Sequence, residues 1–172
     1  MNKYRYIVVE DEELICQNII RKIEGLDLPL QFCGEAEDGE KALVLIDQQN
    51  PHIVFTDIKM PVMDGLMLSK ELYFAYPQIK IVIISGYDDF EYARQGIELN
   101  IFSYMTKPVN EMLLLRNVKK AVDQITEKEL EKRLYNKIKN NYEVSLKLAR
   151  QALVSRVLMN VAVDSEEAKQ LN

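Results

Sequence analysis

Short apolar runs alternate with amphipathic stretches five times in the first ~120 residues, and this alternation limits the fold more than any other feature of the chain. Tyr4–Val9, Leu30–Ala36, Ile53–Thr56, Ile79–Ile84 and Ile101–Tyr104 read as strands. Glu12–Glu24, Glu40–Gln49, Gly65–Tyr76 and Asp89–Leu99 read as helices, and a fifth helix opens after Pro108. In the first helix Leu14, Ile15, Ile19, Ile20 and Ile23 recur at helical spacing. Pro51 leads into the third strand, and Pro77 follows the third helix, where its missing N–H stops the ladder. Strands that alternate with helices imply a parallel sheet covered on both faces. Ile81-Val82-Ile83-Ile84 fits that placement, since it is apolar on both sides. The expected fold is therefore α/β, with a central five-stranded parallel sheet and a long C-terminal helical extension.

In open α/β sheets the functional crevice lies beyond the carboxyl ends of the strands. Glu10, Asp11 and Glu12 follow strand one, Asp57 follows strand three, Ser85 follows strand four, and Lys107-Pro108 follows strand five. Carboxylates brought within a few ångströms repel one another unless a cation joins them. Hard oxygen ligands with room for water suit Mg²⁺. A carboxylate can attack phosphorus, and a lysine ammonium and a serine hydroxyl can hold the phosphoryl oxygens as charge spreads over them. Taken singly, an Asp at a strand end is more often a helix cap, which is how Asp64 reads, and a Lys-Pro pair is more often a loop. Four such positions on four strand ends argue for a site.

These residues resemble a known family. Val8-Val9-Glu10-Asp11-Glu12, Asp57-Ile58-Lys59-Met60-Pro61-Val62-Met63-Asp64-Gly65, Ser85-Gly86-Tyr87 and Tyr104-Met105-Thr106-Lys107-Pro108 are similar to the receiver domains of bacterial two-component response regulators, in order and spacing, over roughly residues 3–122. The resemblance implies the flavodoxin-like (βα)5 fold, and phosphoryl transfer from a sensor histidine kinase to Asp57 with Mg²⁺ as cofactor. It implies that Glu10, Asp11, Asp57 and the backbone carbonyl of Lys59 hold the metal. Ser85 and Tyr104 fall at the switch positions, Lys107 at the family's lysine, and the Lys107–Pro108 bond is expected to be cis. Glu10 departs from the family pattern, which often has Asp there; the extra methylene lets the carboxylate reach further or act through water. Lys107 and Ser85 are expected to read the phosphoryl group rather than to build the fold. The chemistry implied is autocatalytic phosphoryl acceptance and self-dephosphorylation, not turnover of an external substrate. A hydrolase of the haloacid dehalogenase type needs a second Asp two residues past the nucleophile, and that position is Lys59.

A finer resemblance lies in Ser85-Gly86-Tyr87-Asp88-Asp89-Phe90-Glu91-Tyr92-Ala93, which is similar to regulators that end in an AraC-type helix-turn-helix DNA-binding domain. Charge argues against DNA binding by this chain itself. Residues 1–110 hold 10 basic against 18 acidic residues, net −8, while residues 111–172 hold 12 against 9, net +3. Transcriptional output is thus expected through a domain absent from this chain, and a stand-alone receiver serving a phosphorelay or binding a protein is the alternative. Cys16 and Cys33 form no CxxC and read as reduced thiols of a cytoplasmic protein; the apolar runs predict neither a signal peptide nor a membrane span.

The sequence divides into a receiver over 1–124, a helical linker or coiled coil over 125–160 and a polar tail over 161–172. Leu115, Val118, Val122 and Ile125 belong to the last receiver helix, and a charged stretch, Glu127–Arg133, interrupts the pattern. It resumes at Tyr135, Ile138, Tyr142, Leu146, Ala149, Leu153 and Val157, with a mean step of about 3.67 residues, the repeat of a nearly straight seam. Such a stripe needs a partner, so a homodimer through the C-terminal helix or the receiver is expected; the rival is a helix packed in a further domain.

Overall fold

A computed structural model of the chain describes residues 3–86, 99 and 101–170, and in the C-terminal helix it describes side chains up to residue 151, apart from residue 149. The predicted helix Asp89–Leu99 lies outside the described residues except for Leu99, as does the Tyr87–Ala93 part of the finer motif. The strands are β1 (Tyr4–Val9), β2 (Leu30–Ala36), β3 (Ile53–Thr56), β4 (Lys80–Ser85) and β5 (Ser103–Thr106). The described helices are α1 (Glu13–Glu24), α2 (Gly39–Gln49), α3 (Gly65–Ala75) and α4 (Glu111–Gln170). The chain divides into two compact units, Met1–Ile125 and Thr126–Asn172.

In the first unit the strands form one parallel sheet in the order β2-β1-β3-β4-β5. Alternate residues of each central strand supply two separate cores. Tyr6, Val8, Ile53, Phe55, Val82 and Ile84 face one side, where Ile19, Ile20 and Ile23 of α1 and Leu114, Val118, Val122 and Ile125 of α4 cover them. Ile7, Val9, Val54, Ile81 and Ile83 face the other, under Ala42 and Ile46 of α2 and Leu68 and Leu72 of α3. Each fully buried aliphatic side chain contributes about 1.5–3 kcal/mol, which is why these strands read as near-continuous apolar runs.

Several sequence expectations shift: β4 runs Lys80–Ser85 rather than Ile79–Ile84, and Leu14 of α1 is exposed. β5 lies two residues later than Ile101–Tyr104, because Phe102 N–H already bonds Ile81 O at 2.9 Å and strand pairing runs from Val82↔Ser103 to Ser85↔Thr106. In α4 it is Leu114 that is fully buried, while Leu115 is exposed. The β1–β2 register slips between Tyr6↔Phe32 and Val8↔Glu35, at Gly34 with φ 144°, a conformation that L side chains rarely adopt. The helix starts follow simple chemistry: Asp38 caps α2 by accepting from Lys41 N–H, and Asp64 caps α3 by accepting from Leu66 and Met67 N–H, as its reading as a cap predicts.

Candidate functional site

The backbone ladder continues past the strand ends and fixes where the polar residues emerge. Glu10 N–H donates to Ala36 O at 2.9 Å, Asp57 N–H to Val9 O at 3.0 Å and Lys107 N–H to Ser85 O at 2.8 Å. Residues from β1, β3, β4 and β5 thereby reach one edge of the sheet. The Lys107–Pro108 bond is cis, as the resemblance implies.

At this edge the Lys107 Nζ donates to Glu10 Oε2 at 2.7 Å and to Asp57 Oδ2 at 2.8 Å. Asp57 Oδ1 accepts from the Ile58 N–H at 2.6 Å. Glu10 and Asp57 are buried, at 3% and 9% exposure, and Asp11 is exposed. The Glu10 carboxylate, at the end of β1, reaches the lysine that follows β5. Burial pushes the Glu10 carboxyl above its usual range, and Asp57 and Asp11 add to the rise against the opposing pull of Lys107. Burial acts to lower the Lys107 ammonium, but its hydrogen bonds to Asp57 and Glu10 outweigh that and hold it above the ordinary value.

The donor set suits a hard divalent cation. Glu10, Asp11 and Asp57 offer oxygens within 4.8 Å of one another. Glu10 Oε1 is buried without a hydrogen-bond partner, an orphan that a cation beside the triad would satisfy. Lys59 follows Asp57 by two residues in the β3–α3 loop, with its side chain exposed.

Ser85 ends β4, is fully buried and is paired in register with Thr106. Tyr104 is half-buried in β5, packed against the core shared with α2 and α3. Two further residues shape the site and were not singled out from sequence. Thr56 Oγ1 donates to Asp57 O at 2.8 Å, tying down the backbone of the acid. Gly65 approaches so closely that a Cβ there would lie 1.8 Å from Asp57 O. The signal for both was present: a hydroxyl immediately before the strand-end Asp, and a Gly immediately after a helix cap. The lone His52 is structural, accepting the Arg5 N–H on Nδ1 at 3.0 Å.

The response regulator receiver domain family matches residues 6–119. The uncharacterized transcriptional regulatory protein YesN of Bacillus subtilis is 28% identical over 159 residues, covering 92% of this chain and 43% of that protein. The transcriptional regulatory protein HptR of Staphylococcus aureus is 34% identical over 125 residues, 70% of this chain and 49% of that protein. The chain thus spans less than half the length of these curated relatives. Among solved structures, the REC domain of AraT, a response regulator from Geobacillus stearothermophilus, superposes with a TM-score of 0.69 at 31% identity, over 74% of this chain and 99% of that one.

Proposed function

Because this chain belongs to the response regulator receiver domain family, we propose that Asp57 accepts a phosphoryl group from a phosphohistidine of a sensor histidine kinase. The observation that carries the assignment is the Lys107 ammonium held between the Asp57 and Glu10 carboxylates beside an unpartnered Glu10 oxygen. An Asp57 carboxylate oxygen attacks phosphorus, the N–P bond of the donor breaks, and the departing imidazole nitrogen keeps the electron pair and takes a proton. The Ile58 N–H orients the carboxylate through Oδ1. Lys107 follows the charge from the carboxylate onto the phosphoryl oxygens, and Ser85 donates to one of them. Glu10, Asp11, Asp57 and the Lys59 carbonyl would hold Mg²⁺, which when bound offsets the crowded negative charge of acids and phosphoryl group. The activity is self-modification, acceptance followed by self-dephosphorylation, with no external substrate turned over.

The relatives named as transcriptional regulators extend well beyond the matched region. We therefore read this chain as the switch of a cytoplasmic regulator whose DNA contacts, of AraC type, are made elsewhere in the protein. Ser85 and Tyr104 carry the phosphorylated state outward, and the chain pairs with a second copy through the C-terminal helix or the receiver. None of the described helices is long and apolar enough to cross a membrane.

The test is labelling by acetyl phosphate. Acid-labile, hydroxylamine-sensitive label should appear only with a divalent cation and vanish in Asp57→Asn. Unchanged label in that variant would overturn the assignment.

A further inference from the structure

The loop from β3 to α3 carries Lys59, whose carbonyl is assigned above to the metal. Its base is closed beside Asp57, where the Gly65 N–H bonds Ile58 O at 2.8 Å. Its outgoing limb is fastened elsewhere, on the first residue of α2. The Gly39 N–H, a donor for which a helix start offers no partner within the helix, donates to Met63 O at 3.0 Å. The Met63 side chain covers the same residue. A Cβ on Gly39 would stand 2.5 Å from Met63 Cγ, 2.7 Å from its Sδ and 2.9 Å from its Cβ. Gly39 is buried, and Met63 packs partly buried against the core under α2 and α3.

Val62 shows that this fastening works against strain. Its φ is 62°, in the left-handed region that a β-branched residue rarely enters. Its side chain is 72% exposed, so little packing of its own offsets the strain. Such a conformation persists only where the surroundings impose it. Pro61, with its ring-fixed φ, stands on one side, and Met63, held on Gly39 by backbone and side chain, stands on the other. Gly39 itself lies outside the left-handed region and opens a helix capped by Asp38, a place where alanine is ordinarily preferred. What requires glycine there is the approach of Met63, not the backbone.

We propose that Met63 and Gly39 are positioning residues of the phosphoryl site: they latch the β3–α3 loop to α2 and so hold the Lys59 carbonyl in place for Mg²⁺. This rests on the metal reading given above. It adds a support from α2, an element that contributes none of the proposed ligands, and groups behind a ligand govern metal affinity nearly as strongly as the ligands do.

Mg²⁺ titration by calorimetry and urea midpoints of wild type, Gly39→Ala, Met63→Ala and the double variant test the latch. Gly39→Ala should weaken Mg²⁺ by about tenfold, the loss typical of a metal site deprived of an outer support, and lower the urea midpoint. In the Met63→Ala background the same change should raise the urea midpoint, because only the helix preference of alanine remains, and should weaken Mg²⁺ no further. Met63→Ala creates no collision, so it carries the test if Gly39→Ala fails to fold, and it should itself weaken Mg²⁺. Wild-type Mg²⁺ affinity in either folded single variant would overturn the latch, whatever the urea midpoint. A Gly39→Ala effect of the same sign and size in both backgrounds would also overturn it, since Met63 would then not be the cause. A wild-type chain that binds no Mg²⁺ would remove the metal reading and the latch together, whereas Mg²⁺ binding that ignores both substitutions removes the latch alone.

Discussion

At the scale of single residues, Lys107 is tied into the structure more firmly than its sequence context indicated. It was expected to read a phosphoryl group and leave the fold alone, yet it is the counter-charge of a fully buried Glu10 carboxylate and of Asp57. Removing one partner of a buried ion pair leaves the other uncompensated, which is the costly case. Lys107→Ala should therefore lower stability by about 2 kcal/mol in the absence of metal, and Mg²⁺ should restore part of the loss by neutralising the same acids. Thermal melts of wild type and variant with and without Mg²⁺ measure this directly. Equal melting temperatures without metal would show that the pair contributes nothing. The same variant should lose the conformational response to a beryllofluoride mimic, read from the environment of Tyr104.

At the scale of elements, the turn from β3 into α3 is held at several points. Asp64 caps the helix through two backbone N–H groups, Gly65 N–H bonds Ile58 O at 2.8 Å, and a Gly65 Cβ would collide with the Asp57 carbonyl. Asp64→Ala removes only the cap and should cost about 1 kcal/mol. Gly65→Ala must push the helix start away from Asp57, so it should cost about 2 kcal/mol or more and also slow phosphoryl acceptance. Urea unfolding and acetyl phosphate labelling separate the two effects. A Gly65→Ala protein with native stability and normal labelling would remove Gly65 from the site's support.

At the scale of the whole molecule, two buried acids of the core that lies under α1 and α4 govern behaviour in base. Burial, with help from Glu24 and Cys33, pushes the Tyr6 phenol well above its usual range, and its hydroxyl has no hydrogen-bond partner. Burial, then Glu35, pushes the Cys16 thiol up to about 12. A raised folded-state pKa means the protonated form is favoured on folding. The contribution is fully present below the unfolded values, about 8.5 for Cys and 10 for Tyr, and is lost as pH rises through the folded ones. Stability should thus be flat near neutrality and fall above about pH 8.5, followed by urea midpoints across that range; a flat profile to pH 11 would contradict the burial. Native alkylation at pH 8 should modify Cys33, which is half-buried, well before Cys16. A chain shortened to residue 125 keeps every buried residue of the receiver core and should retain Mg²⁺-dependent labelling with a cooperative melt. Failure of that shorter chain to fold would show that the second unit supports the first.

Read alone, the sequence settled the order of the strands and of the described helices, the two-sided burial of Ile81–Ile84 and the convergence of Glu10, Asp57, Ser85 and Lys107 on one edge. Those properties follow from local periodicity and from the rule that parallel strands present their carboxyl ends together. It could not determine what depends on distances between distant segments. Which of Leu114 and Leu115 enters the core is a rotation of α4, and where β5 begins is a matter of which carbonyl of β4 its N–H groups meet. Glu10 reaching Lys107 across 97 positions, the orphaned Glu10 oxygen and the approach of Gly65 to the Asp57 carbonyl arise only once the sheet is assembled. Periodicity constrains one element at a time, whereas an ion pair or a close backbone contact is a property of two elements held at a fixed separation by everything packed around them.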